Sequence, residues 1–149
     1  MATPKRKAAV PQLPLQRQFA FREKGDFFDL RALFEKLNER YFGNKLRGYV
    51  IVWGPRRRQR PKTGIVFGSI REEERVIRIH PLLDRAFVPS WFLEYVIYHE
   101  MCHAVVPDQF DASGRRKVHH EKFFERERKF RWFRRAKAWE ADNLARFLR

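Results

Sequence analysis

The sequence predicts an α+β domain: a small, mostly antiparallel three-stranded sheet packed against helices. Three observations lead there. Apolar residues recur at three- and four-residue steps both early and late in the chain. Three short segments rich in β-branched and aromatic residues lie together between them. The resulting order, helix, strands, then helices, is that of an α+β chain rather than of alternating βα units. The 149 residues are 44% hydrophobic, with 15 Phe, 4 Tyr and 4 Trp. That is enough for one domain with a real core, and it excludes a wholly disordered chain.

Residues 1–18 carry Pro4, Pro11, Pro14 and the basic trio Lys5, Arg6, Lys7, and read as a flexible basic tail ahead of a single domain over 19–149. Asp26 can cap a helix running through Tyr41 or Phe42. Phe27, Leu30, Leu33, Phe34, Leu37 and Tyr41 make its apolar face. Gly43 stands where a helix end takes a left-handed residue. Strands are expected at Tyr49–Trp53, Ile65–Ile70 and Arg75–His80, the last alternating polar and apolar residues. Arg56, Arg57, Arg58, Arg60 and Lys62 form a basic loop after the first strand, and Glu72, Glu73 and Glu74 turn the chain into the third. A helix capped by Ser90 should run to about Val105 and stop before Pro107. After a polar loop over 107–117, Glu121–Phe133 reads as a helix. Ala136–Leu148 reads as the last one, with Trp139, Leu144 and Leu148 on one side.

The formal net charge is +15. So strong a positive field favours polyanionic partners, nucleic acid before membrane surface. The single cysteine, Cys102, excludes an internal disulfide and a cysteine-based zinc ribbon within these residues. No apolar run approaches the roughly 20 residues of a membrane span. A cytoplasmic, monomeric protein is expected, with association to a nucleoid compatible with its charge.

The predicted helix 90–105 contains His99-Glu100-Met101-Cys102-His103. Histidines four apart share a helical face and can bind one Zn²⁺ through their ring nitrogens. Glu100 points beside that face, where it can take a proton from an attacking water and pass it to a leaving amine. Cys102 is turned off the ligand face and reads as a small buried residue. A third ligand six residues after His103 is excluded by Gln109; Glu121 and Glu125 could be drafted, but His119 and His120 are better candidates. Phe123 and Phe130 share the helical face of His119, whereas Phe124 and Arg131 share that of His120, so helix phase favours His119. His80 reads as a strand-end residue. Tyr95, Tyr98 and several arginines are candidates to steady an oxyanion, and the sequence does not choose among them.

Over about residues 26–133 the chain resembles the SprT-like zinc metalloprotease domain of SprT and Spartan. The matching pieces are Leu37-Asn-Glu-Arg-Tyr-Phe-Gly-Asn-Lys-Leu46, Ile51-Val-Trp-Gly54, Arg78-Ile-His-Pro81, Tyr98-His-Glu-Met-Cys-His-Ala104 and His119-His-Glu-Lys-Phe123. The resemblance implies a zincin-like fold, Zn²⁺ on His99 and His103, Glu100 as the catalytic residue, and proteolysis of protein substrates linked to DNA. The family's third ligand is a His followed four residues later by Phe. Both His119 with Phe123 and His120 with Phe124 satisfy that. DNA contact would come from the domain's own basic surface. Candidates are the Arg56–Lys62 loop and Arg126, Arg128, Lys129, Arg131, Arg134 and Arg135, a set suited to single strands where aromatics are exposed. The competing reading is a nucleic-acid-binding module with structural zinc and no proteolysis. A zinc hydrolase acting on a non-protein substrate would use the same residues.

Overall fold

The computed structural model describes residues 22–56 and 64–148. The expected basic tail and most of the basic loop lie outside them. The elements are helix α1 (Leu30–Phe42), strands β1 (Val50–Trp53), β2 (Gly68–Arg71) and β3 (Val76–Ile79), helix α2 (Ser90–Val105), the short strands β4 (Gln109–Phe110) and β5 (Arg116–Lys117), and helices α3 (Glu121–Glu127) and α4 (Phe133–Phe147).

Helix α2 is the centre of the molecule. Ten consecutive residues of it, Phe92–Met101, are apolar or aromatic except at three positions, and α2 packs against α1, β2, β3, α3 and α4. A helix apolar on all sides must be buried on all sides. The three-stranded sheet has the order β1-β3-β2. β2 pairs antiparallel with β3, Gly68 opposite Ile79, through the Glu72–Arg75 turn. β1 pairs parallel with β3, Val50 opposite Val76. That parallel pairing is the exception in a sheet expected to be mostly antiparallel. The chain between β1 and β2 is long enough to return β3 alongside β1 in the same direction, and β2 is left at the edge. With the β4–β5 hairpin, two of three strand pairings among the described residues are antiparallel.

The first helix starts later than expected. Asp29, not Asp26, is its cap, its carboxylate accepting the Ala32 N–H at 3.3 Å. Asp26 is held elsewhere: the buried Asp84 accepts the N–H groups of Asp26, Phe27 and Phe28 at 2.6–3.3 Å and fixes this segment before the helix. Phe27 is accordingly exposed. Gly43 ends α1 with φ 55°, the left-handed conformation its position calls for. Ser90 is the first helical residue of α2, and Pro89 takes the cap position with no side-chain cap. The second strand is shorter than Ile65–Ile70, beginning at Gly68. The expected helix 121–133 is two: α3 ends at Glu127, and residues 128–132 form turns before α4. No Gly or Pro marks this break. Phe130 makes it by inserting against Tyr98 and Tyr41, with ring centroids 5.3 and 5.7 Å away. The chain then redirects so that Ala136 and Phe147 bury, Phe147 meeting Phe67 at 5.4 Å.

Candidate metal centre

His99 and His103 project from one face of α2 into a cleft of about 790 Å³. His119, in the segment just before α3, reaches the same point. Its Nε2 is 3.2 Å from His99 Nε2 and 3.1 Å from His103 Nε2. Ligands 2.0–2.1 Å from a tetrahedral zinc would stand about 3.3 Å apart, so the spacing suits such an ion. Hydrogen bonding alone does not explain it. His119 carries at most one proton on Nε2 and cannot satisfy two neighbouring nitrogens at once. The three histidines could therefore hold a metal ion.

The floor under them is Phe123, fully buried, stacked on His103 at 4.4 Å and about 5 Å from the other two rings. Burial, and then the His99 and His119 charges, pushes the His103 pKa down to about 4. Burial and His99 also lower that of His119. Both rings therefore stay neutral near pH 7, the form with a lone pair to donate.

His120 is turned away. It is buried at the start of α3, with its Nε2 2.9 Å from the Pro107 carbonyl oxygen. Of the two histidines the sequence offered, only His119 joins the cluster. Phe123 points inward and Phe124 is 39% exposed, as the helix phase anticipates. Glu121 lies outside the cluster, paired with Arg128, and Glu125 is exposed. His80 caps the turn after β3, its Nδ1 accepting the Leu82 N–H.

Glu100 lies beside the histidines, 6% exposed, against edge strand β2. Burial raises its pKa to about 7, opposed by the His99 charge. Its room comes from Gly68. A Cβ there would stand 3.1 Å from Glu100 Cγ and 3.2 Å from Oε1. The cleft continues along Phe67, Gly68 and Ile70 and out to Glu72, Asp108 and Arg116. Cys102 is fully buried, and burial pushes its thiol up to about 12, which makes it inert. Of the two tyrosine candidates, Tyr98 is buried and donates to the Arg126 carbonyl at 2.5 Å, away from the cleft. Tyr95 lines the cleft but donates to Glu127.

The sequence reading missed Glu127 and Gly68. Glu127 takes His99 Nδ1 on its Oε2. Its only sequence signal is its spacing, four residues after Phe123 on the inward face. Gly68 has none, since its use depends on α2 lying across β2.

Arg131 stands 4.6 Å from the Trp132 ring centroid, and Arg135 stands 4.5 Å from Trp91 and 5.6 Å from Trp132. Among the described residues no carboxylate pairs with Arg131, Arg134 or Arg135. The sequence has no acid between Glu127 and Glu140. Phe130 is buried, so the aromatics here serve the core more than the surface.

Fold and site together define a class: an α+β domain carrying three histidines that could hold a metal ion. The chain belongs to the SprT-like family, whose model matches residues 30–138. Nothing among curated proteins or solved structures matches it. No helix among the described residues is long and apolar enough to cross a membrane.

Proposed function

We propose that the protein is a zinc-dependent endopeptidase acting on proteins on or near DNA. The observation that carries this reading is the convergence of His99, His103 and His119 with Glu100 beside them, at the floor of a cleft walled by an edge strand. The three imidazoles would hold Zn²⁺ through Nε2. Bound there with one position open, the ion would supply Lewis acidity, polarising a peptide carbonyl and lowering the pKa of water. Glu100 supplies the proton traffic. A carboxylate that titrates near 7 is matched to taking a proton from water and returning it to the departing amine. Among the described residues strand β2 is an edge strand, along which an extended substrate backbone can lie.

A site closed by four protein ligands would have favoured structural zinc. His120, the residue that could have closed it, is bound to Pro107 instead. The DNA part of the reading is supported by the charge of +15 and by arginines 131, 134 and 135, which no described carboxylate neutralises. The test is cleavage of a basic protein by zinc-loaded enzyme, with and without single-stranded DNA, beside Glu100→Gln. Cleavage that the variant loses while retaining zinc is expected, and DNA should stimulate it. Undiminished cleavage by Glu100→Gln would sink the assignment of Glu100. Zinc and DNA binding with no cleavage under any condition would leave the non-proteolytic nucleic-acid-binding module.

A further inference from the structure

We infer that Glu127 is a positioning residue, holding the His99 ring so that its Nε2 lone pair faces His103 and His119. This rests on the reading of the three histidines as metal ligands.

Glu127 is 4% exposed, in the last turn of α3, against α2. Its Oε2 contacts His99 Nδ1 and accepts the Tyr95 hydroxyl at 3.2 Å. Tyr95 already donates to that oxygen, so Oε2 is an acceptor and the proton between it and the ring belongs to Nδ1. A neutral imidazole with its proton on Nδ1 has its lone pair on Nε2. That is the atom 3.2 Å from His119 Nε2. Glu127 thus fixes both tautomer and ring rotation. Tyr95 in turn fixes the carboxylate, because its hydroxyl occupies the same Oε2.

The desolvation of Glu127 argues for this role. Burying a carboxylate is unfavourable, and an apolar side chain of similar size would fill the same space without that penalty. Among the described residues, His103 and His119 have no carboxylate on their other ring nitrogen. Glu127 therefore acts on one ligand. Partners of this kind are commonly worth about 10–100-fold in metal affinity.

The experiment is zinc affinity by competition with a chromophoric chelator, for wild type, Glu127→Leu and Glu127→Gln. Glu127→Leu packs but accepts no hydrogen bond, and should bind zinc about 10–100-fold more weakly. Glu127→Gln keeps an acceptor without the charge, and should recover part of that loss. A purely packing role predicts no recovery beyond what restored folding gives. The second measurement needs no variant: ¹⁵N–¹H correlation of the His99 ring in zinc-loaded wild type. A slowly exchanging Nδ1 proton with ligation through Nε2 is expected. Ligation through Nδ1, or Glu127→Leu binding zinc within twofold of wild type, overturns the inference alone. A wild type that takes up no zinc overturns the proposed function and this inference with it.

Discussion

Replacing Gly68 by Ala tests the contact between strand and helix on which Glu100 depends. The new Cβ would meet Glu100 Cγ at 3.1 Å, Glu100 Oε1 at 3.2 Å and Val96 Cγ1 at 3.3 Å. Carbon atoms pack best at about 3.5–4.0 Å, so the deficit is about 0.4–0.9 Å at the tightest approach. The strand cannot easily give way, because Gly68 is in register with Ile79 and β2 lies against α2. The carboxylate must move instead. Stability changes little: crowding costs about 1–3 kcal/mol, while losing a strand glycine returns about 0.5–1 kcal/mol. At about 2–4 °C per kcal/mol, Tm should fall by under about 10 °C. Activity should suffer more. At contacts of 3.1–3.3 Å the carboxylate must give by a few tenths of an ångström, where a full misplacement of about 1 Å can cost about 100-fold. A fall of about 10-fold in kcat/KM is expected, with zinc content unchanged because no histidine moves. The assay is the initial rate of cleavage with zinc content and Tm measured alongside. Ser69→Ala, on the exposed neighbouring residue, is the control. A folded Gly68→Ala protein within twofold of wild type would refute the argument that the glycine makes room for the Glu100 carboxylate and that its placement matters to the proposed cleavage.

Separating the adjacent histidines is a direct check on the site. His119→Ala should lose most zinc affinity, while His120→Ala should keep zinc and lose about 1–3 kcal/mol of stability by leaving the Pro107 carbonyl unpaired; zinc titration and thermal melts together would expose the reverse pattern. The pH dependence of the metal-free protein follows from Glu100. Its folded pKa of about 7 lies above the ordinary 4.5, so the folded state binds the proton more tightly, and the stability this gives is present below 4.5 and lost as pH rises through about 7. Relative to Glu100→Gln, wild type should therefore weaken across that window by up to about 3 kcal/mol, measured by denaturant unfolding at fixed pH values. For the polyanion surface, the triple variant Arg131→Ala, Arg134→Ala, Arg135→Ala should bind single-stranded DNA more weakly. Its slope of log K against log salt should be shallower by about 2, at about 0.7 for each phosphate these arginines neutralise. An unchanged slope in fluorescence anisotropy would remove these arginines from the interface.

Several outcomes followed from local rules that the sequence carries by itself. Histidines 99 and 103 share a face because a helix turns every 3.6 residues, and α2 ends at Val105 because Pro107 follows. Gly43 ends α1 because only a residue tolerant of positive φ serves there. The helix phase that sets Phe123 inward also carried the choice of His119. Where distant segments compete for one place, only the tertiary structure decided. Asp84, more than fifty residues away, holds the backbone at Asp26 and moves the start of α1 to Asp29. The parallel pairing of β1 with β3 depends on the path of the chain between them, which strand patterning does not encode. Residues 128–132 leave the helix because burying Phe130 among Tyr41, Tyr95 and Tyr98 outweighs a few more helical hydrogen bonds, and propensity alone does not predict that. Glu127 and Gly68 became legible last for the same reason: their roles lie entirely in what α2 presents to them, a ring nitrogen in one case and a carboxylate in the other.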